Sequence, residues 1–101
     1  MIFIYITAGS AKDAKKISRH LLEKKLIACT NIHPIESMYW WKGEIQENTE
    51  FVVIAKTVEK NYQKIEKEIK NIHTYETPCV CSWKIQKTNQ EFKNWVEEET
   101  K

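Results

Sequence analysis

The chain has 101 residues and a formal net charge of +2 at pH 7, from 16 basic and 14 acidic side chains. Because these charges are interspersed and nearly balanced, the composition disfavours nucleic-acid binding. The opening apolar run, Ile2 to Ile6, is too short to span a bilayer and is unlike a signal peptide. Three cysteines without C-x-x-C spacing, Cys29, Cys79 and Cys81, favour free thiols in a reducing compartment. We therefore expect one cytoplasmic domain over residues 1–101 that binds neither nucleic acid nor a membrane.

The first half of the chain predicts a strand, a helix and a second strand. Ile2 to Ala8 is uniformly apolar and rich in β-branched and aromatic residues, which indicates a buried strand. Ser10 and Asp13 have the spacing of a capping box, and an apolar stripe follows at helical spacing: Ala14, Ile17, Leu21 and Leu22. A second strand is predicted from Leu26 to Ile32, ending at His33-Pro34.

The second half of the chain repeats this order. A strand is predicted from Phe51 to Lys56, then a helix capped at Thr57 and a strand from Val80 to Ile85. The helix has an apolar stripe at spacings of three and four: Tyr62, Ile65, Ile69 and Ile72. Between the halves, Ser37 to Gln46 predicts an extended strand that turns through Glu47-Asn48-Thr49 into the next strand. A hairpin therefore joins the two halves.

The element order βαββαβ is that of the ferredoxin-like fold, in which two helices cover one face of a sheet. A short C-terminal helix is added, with Thr88 and Glu91 as a capping box and Phe92, Trp95 and Val96 as its apolar face. We therefore predict an α+β, ferredoxin-like sandwich with an added C-terminal helix.

Both faces of the predicted sheet are apolar. In the first strand, for example, Ile4 and Ile6 alternate with Phe3 and Tyr5. The helices cover one face only, so the other face needs a different cover. For so short a chain the expected cover is another copy of itself, and the added C-terminal helix is the alternative.

Two short stretches are dense in side chains suited to binding. Tyr39, Trp40 and Trp41 are consecutive aromatics before Lys42-Gly43, and their large apolar surfaces predict a subunit interface or a pocket wall. The stretch from His73 to Pro78 adds an imidazole, a phenol and a carboxylate. These stretches hold most of the candidate functional residues.

Five motifs follow one another along the chain: Thr7-Ala8-x-Ser10, Glu23-Lys24-Lys25-Leu26-x-Ala28-Cys29-x-Asn31-Ile32-x-Pro34, Ser37-x-Tyr39-x-Trp41-Lys42-Gly43-x-Ile45, Lys56-Thr57 and His73-x-Tyr75-Glu76-x-Pro78. Together they resemble the motifs of the CutA family of divalent-cation-tolerance proteins. The resemblance covers nearly the whole chain.

The resemblance implies a ferredoxin-like homotrimer with shallow pockets between subunits, similar in architecture to nitrogen-regulatory signal-transduction proteins. It also implies a role in tolerance of copper and other divalent metals, with copper binding. Three positions depart from the family's pattern. Gly9 and Thr74 stand where the family often has Pro, and Cys79 stands where an acidic residue often follows the Pro.

Cys29 and His73 are the candidate metal ligands, because a thiolate and an imidazole suit copper and, more weakly, zinc. One Cys and one His do not complete a coordination sphere, so a subunit boundary would have to contribute. The alternative is a small buried Cys29 and a His73 that bonds carbonyls at a helix end. Cys79 and Cys81 are two residues apart on one strand, so they point to the same face. They are either paired soft metal ligands or small core residues.

Tyr39, Trp41, Lys56, Tyr75 and Glu76 are the candidate ligand-pocket residues. A Lys at a strand end, a carboxylate and aromatic rings are the usual lining of a cleft for an anionic or planar ligand. The alternative is structural, with the aromatics as interface anchors and a Lys–Glu ion pair between subunits.

Other functions of this fold require motifs that differ from the ones here. A metallochaperone carries C-x-x-C after the first strand, where this chain has Thr7-Ala8-Gly9-Ser10, and an RNA-binding domain carries a Gly-aromatic motif on its third strand. Without a Ser/Cys–His pair, a phosphate loop or H-E-x-x-H, the chain is not expected to be an enzyme. Two hypotheses remain: a trimeric metal-binding tolerance protein, and a trimeric regulator that senses a small ligand at its subunit clefts.

Overall fold

A computed structural model describes all 101 residues. The elements are β1 (Ile2–Ala8), α1 (Ala11–Glu23), β2 (Cys29–Trp41), β3 (Glu44–Thr57), α2 (Tyr62–Ile72), β4 (Val80–Lys84) and α3 (Gln90–Glu99), with a 3-10 turn at Glu59–Asn61. The strands form one antiparallel sheet in the order β2-β3-β1-β4. This topology confirms the predicted ferredoxin-like α+β fold with its added C-terminal helix.

The core lies between one sheet face and the helices α1 and α2. Alternate residues of β1 are buried, and they pack with most of the apolar stripes that the sequence predicts on the two helices, although Leu22 of the α1 stripe is 40% exposed. The fully buried members include Ile4, Ile6, Ala14, Leu21, Ile65 and Ile69. Burying a side chain of this kind stabilises the fold by about 1.5 to 3 kcal/mol, so this layer holds the helices on the sheet.

The start of α1 confirms the predicted cap. The Ser10 side chain accepts a hydrogen bond from the backbone N–H of Asp13 at 3.1 Å. The predicted caps of the other two helices are wrong. Thr57 ends β3 and donates to the Leu26 carbonyl at 2.5 Å, and α3 is preceded by Asn89 rather than Thr88, with no side-chain cap bond.

The central hairpin is longer than the sequence predicts, and its turn lies elsewhere. β2 continues through His33-Pro34, because an edge strand tolerates proline where the missing N–H would point away from its neighbour. The turn is Lys42-Gly43, with φ of 50° and 81°, which suits a two-residue hairpin turn. Glu47-Asn48-Thr49, the predicted turn, lies in the ladder opposite Glu36 to Met38.

Half of this hairpin extends beyond the rest of the sheet. β1 ends at Ala8 opposite Phe51, so residues 35–50 pair only with one another. We call this segment the hairpin arm. Its apolar side chains are largely exposed, with Met38 at 70%, Trp40 at 71% and Ile45 at 58%. A two-stranded ribbon is marginally stable by itself, so the arm presents an apolar surface that no part of its own chain covers.

The sheet face opposite α1 and α2, the open face, is also apolar. Phe3, Tyr5 and Ile54 are partly exposed there, and Trp83 is 44% exposed beside Phe3. α3 packs against β3 and buries Val96, yet these open-face side chains keep contact with solvent. The two-sided apolar sheet is therefore present, and the C-terminal helix leaves much of the face uncovered.

Replacing Ser10 and Thr88 separately by alanine tests whether Ser10 caps α1 while Thr88 caps no helix. We expect Ser10→Ala to lower the free energy of unfolding by about 0.5 to 2 kcal/mol, because an N–H of α1 loses its partner. Thr88→Ala, at an exposed position without a cap bond, should change it by less than about 0.5 kcal/mol. Urea unfolding followed by circular dichroism measures both, and equal losses would contradict the assignment.

Candidate functional site

A concavity of about 880 Å³ opens between β1, the hairpin arm and the loop from α2 to β4. We call it the arm cleft. Four of the five predicted pocket residues line it: Tyr39, Trp41, Tyr75 and Glu76. The cleft lining includes three carboxylates, those of Glu36, Glu50 and Glu76, and no Lys or Arg. The site thus combines aromatic walls with an excess of negative charge.

Lys56, the fifth predicted pocket residue, lies outside the arm cleft. Lys56 pairs with Phe3 in the sheet. It is six residues along β3 from Glu50, and six residues of strand span about 20 Å. Its Nζ donates to Asn31 Oδ1 and lies 5.6 Å from the centre of the Phe3 ring. Within one chain the strand therefore separates Lys56 from Glu76, so the predicted ion pair between them would need two subunits.

His73 holds the loop after α2 against the end of β1. Its Nε2 donates to the Thr7 carbonyl at 2.7 Å, and its Nδ1 accepts from the backbone N–H of Tyr75 at 2.9 Å. Both ring nitrogens are thus engaged when the ring is neutral with its proton on Nε2. Within one chain, His73 has the carbonyl-bonding role that the sequence offered as the alternative to metal binding.

Tyr75 and Glu50 form the polar centre of the arm cleft. The Tyr75 hydroxyl donates to Glu50 Oε2 at 2.6 Å, and Glu50 is only 8% exposed with no cationic partner. Burial, and then the bond to Glu50, raise the pKa of the Tyr75 phenol. A Cβ at Gly9 would lie 3.3 Å from the edge of the Tyr75 ring, closer than an ordinary contact, so the glycine gives the ring room.

The sequence interpretation missed Glu50. The sequence did contain a signal. Glu50, Val52 and Ile54 are alternate residues of one strand, so their side chains lie on the same face, the open face. An acidic residue in register with apolar side chains on one face of a strand is unusual enough to mark a site. Only the pairing with Tyr75, 25 residues away, explains its burial.

The two predicted metal ligands lie at opposite ends of the sheet. Cys29 begins β2 opposite Lys56, whereas His73 contacts Thr7. Cys29 is in register with Phe3 through Lys56, so it is four residues along β1 and two strand spacings from Thr7, which is roughly 16 Å. Two ligands of one ion lie within roughly 5 Å of each other. Burial raises the pKa of the Cys29 thiol, and the Lys56 ammonium partly opposes this. One chain does not bring the pair together, so a joint site needs two chains.

No group of three or more His, Cys, Asp or Glu side chains is arranged to surround a metal ion within the chain. The thiols of Cys79 and Cys81 are both exposed, so they are not the small core residues that one interpretation predicted. None of the helices combines the length and apolar character needed to cross a bilayer.

Comparison with known proteins identifies the class. The profile of the CutA1 divalent ion tolerance protein family matches residues 2–99. Divalent-cation tolerance protein CutA of Archaeoglobus fulgidus is 47% identical over 96 residues, covering 95% of this chain and 94% of that protein. The CutA of Thermotoga maritima is 42% identical, with 97% of each chain covered.

Solved structures agree with the sequence matches. The structure described as the periplasmic divalent cation tolerance protein CutA from Archaeoglobus fulgidus superposes with a TM-score of 0.97 at 45% identity, covering 100% of both chains. The PII-like protein CutA from Nostoc sp. PCC 7120 gives 0.92 at 25% identity, covering 100% of this chain and 98% of that one. The chain belongs to the CutA1 divalent ion tolerance protein family.

Replacing Tyr75 by phenylalanine tests the centre of the arm cleft. We expect Tyr75→Phe to lower the free energy of unfolding by about 1 to 3 kcal/mol, because the buried Glu50 carboxylate loses its donor. Tyr5→Phe is the matched control, since Tyr5 lines the same cleft and its hydroxyl makes no hydrogen bond within the chain. Similar losses in both variants, in chemical denaturation at pH 7, would contradict this role.

The same variant has a pH signature. Unfolded Tyr75 loses its proton near pH 10, about the ordinary value for tyrosine, whereas the raised pKa keeps the folded phenol protonated above that pH. The free energy of unfolding should therefore fall as pH rises above about 10. This fall should be shallower in Tyr75→Phe than in Tyr5→Phe, and equal slopes would contradict the assignment.

Proposed function

We propose that this protein acts in tolerance of divalent metal cations as a homotrimer that binds copper, with ligands contributed at its subunit boundaries. Family membership supports the tolerance role, since the relatives from Archaeoglobus fulgidus and Thermotoga maritima carry that name. The observation that carries the assembly is the uncovered hairpin arm beside an open cleft.

The arm and the open face favour association with further copies of the chain. Trp40 and Trp41 project from a ribbon that extends the molecule to 45 Å in its longest dimension. Aromatic anchors of this kind are typical of interface centres, and the open face offers a neighbouring apolar surface. Three-fold assembly is the arrangement that the CutA resemblance implies.

Copper binding is proposed at Cys29 and His73 of different chains. A thiolate and an imidazole are ligands that copper accepts, and zinc is expected to bind more weakly. Each residue must first change state, because the raised pKa keeps the Cys29 thiol protonated and His73 has both nitrogens engaged. Metal binding should therefore release a proton and loosen the loop after α2.

A second candidate function is a regulator that senses a small ligand at the arm cleft. Glu50 favours it, because a buried carboxylate without a cation, inside aromatic walls, is suited to recognising a ligand. The likeness to a PII-like protein also supports it. Such a ligand would depend on Glu50 and Glu76, whereas copper binding would depend on Cys29.

The remaining features favour a binding protein over a catalyst. The lining of the arm cleft holds carboxylates, phenols, hydroxyls and the Cys79 thiol, and its bond between ionisable side chains joins Tyr75 to Glu50 rather than a Ser, Thr or Cys nucleophile to a base. We also propose a cytoplasmic location, which three free cysteines support. One solved relative is described as periplasmic, so cell fractionation is the direct measurement.

Replacing Trp41 by alanine tests the assembly. We expect the unaltered protein to scatter light with three times the 12.0 kDa chain mass. Trp41→Ala should shift the measured mass toward smaller species. It should also lower the free energy of unfolding by about 3 to 5 kcal/mol, because a large buried interface contact is lost. Trp95→Ala is the matched control, since Trp95 has a similar exposed fraction, 43% against 40%, but lies on α3. A monomer mass for the unaltered protein would overturn the proposal.

Copper titration tests the metal site in a protein in which Cys79 and Cys81 are replaced by serine, so that Cys29 is the only thiol that remains. We expect Cys29→Ser or His73→Gln to weaken copper binding by at least about tenfold, which is about 1.4 kcal/mol. His33→Gln, at an exposed histidine of β2, should leave it unchanged.

Mixed assemblies sharpen this test. When chains carrying only Cys29→Ser are combined with chains carrying only His73→Gln, boundaries with both intact ligands form again. Part of the lost binding should return, measured by calorimetry. Binding that neither substitution alters would contradict the proposed ligand pair.

A further inference from the structure

The two helices that cover the sheet carry most of the positive charge of this chain. Residues 11–25 and 59–72, which we call the helix layer, contain ten Lys and Arg against five Asp and Glu. The rest of the chain contains six against nine, so the two sides of the fold differ in the sign of their charge. The helix layer covers the sheet face opposite the open face. Association through the open face and the hairpin arm therefore leaves it accessible.

Seven of the basic side chains lie on the outward faces of the two helices, and we call them the cation array. In α1 they stand on the side of the helix away from the buried residues Ala14, Ile17 and Leu21, and in α2 on the side away from Ile65 and Ile69. All seven are exposed: Lys12, Lys15, Lys16, Arg19, Lys64, Lys67 and Lys70.

None of the seven cations takes part in an ion pair within the chain. The basic partners of the ion pairs are instead His20, Lys24, Lys84 and Lys101. Positive charges held close together on one surface repel one another, and an external anion relieves that repulsion. The cation array is therefore free to bind an anion from outside the chain.

The seam between the two helices already binds a carboxylate. His20 Nε2 of α1 donates to Glu68 Oε2 of α2 at 3.0 Å, and Lys24 Nζ lies 3.2 Å from the other oxygen of Glu68. The carboxylate is thus held by separate nitrogen donors. The array has the same character, with six lysines and one arginine, and it lacks the paired guanidinium forks that favour phosphate.

The dimensions of the array match a short extended peptide. Lys12 to Arg19 and Lys64 to Lys70 each cover about 10 Å of helix axis, and packed helices lie about 8 to 10 Å apart. An extended chain advances about 3.3 Å per residue, so a run of about four to six Asp and Glu residues covers the array.

Broader anionic surfaces fit the array less well. Exposed carboxylates border it, those of Glu23 in α1 and Glu66 in α2, and they would repel the phosphates of a duplex or a bilayer laid across both helices. The outward faces also lack an aromatic side chain that could stack on bases or enter a bilayer interface. A narrow peptide can follow the basic side chains and avoid both carboxylates.

We propose that the cation array is a docking surface for an extended acidic segment of a partner protein. The array lies on the opposite side of the sheet from the open face, where Cys29 and the arm cleft are located. The inference therefore goes beyond the proposed copper function and does not depend on it. It assigns to each subunit an outward surface through which another protein can recognise the assembly.

Fluorescence anisotropy with a labelled octaglutamate peptide tests the docking surface at pH 7 and about 0.15 M salt, the physiological value. We expect saturable binding that weakens as salt is raised. Replacing Lys64, Lys67 and Lys70 together by glutamine should weaken it at least about tenfold, because three ion pairs with the peptide are lost. Glutamine has nearly the helix propensity of lysine, and circular dichroism checks that the variant folds.

A second triple variant is the matched control. Replacing Lys84, Lys87 and Lys101 by glutamine removes the same charge from exposed positions outside the helix layer, so the affinity should stay within about threefold of the unaltered protein. Octaglutamine is the control peptide and should not bind. Copper titration of the array variant should match that of the unaltered protein, so the docking surface and the copper site can fail separately.

Two further probes distinguish the class of partner: vesicles of phosphatidylserine and phosphatidylcholine, and a short DNA duplex. We expect both to bind the unaltered protein more weakly than octaglutamate does. Tighter binding of either would overturn the proposal and assign the surface to a membrane or a nucleic acid. The proposal is also overturned if octaglutamate does not bind at physiological salt, or if the control variant loses as much affinity as the array variant.

Discussion

The mismatch in length between the central hairpin and its neighbouring strand is the constraint on which the rest of this structure depends. β1 ends at Ala8, whereas β2 and β3 continue to the turn at Lys42-Gly43. The residues beyond that point have no third strand, so they form a ribbon with aromatic side chains in solvent. One wall of the arm cleft and the surface that needs a partner both follow from this mismatch.

The loop after α2 supplies the opposite wall, and three hydrogen bonds position it. His73 bonds the end of β1 and the backbone of Tyr75, and the Tyr75 phenol bonds Glu50 at the base of the arm. The loop, the first strand and the hairpin are thereby tied together at one place. The arrangement leaves the Glu50 carboxylate buried at the base of the arm without a cationic partner.

Local patterns predicted the elements well and the turn poorly. The apolar stripes of α1 and α2 and the alternation in β1 are periodic signals that survive folding, because each buries one face against the sheet. The turn was misplaced because Glu47-Asn48-Thr49 has turn-forming composition, yet it pairs in register with Glu36 to Met38. The sequence predicts a strand end at His33-Pro34, because it does not show that β2 is an edge strand that tolerates proline.

The sequence by itself determined the ferredoxin-like order, the cap at Ser10 and the aromatic stretch that includes Tyr39 and Trp41, because these depend on neighbours within a few residues. Only the tertiary structure decided which candidates share a site. It separated Lys56 from Glu76, joined Tyr75 to Glu50, and placed Cys29 and His73 at opposite ends of the sheet. The reason is strand register, which sets distances between residues far apart in the chain and leaves no trace in local composition.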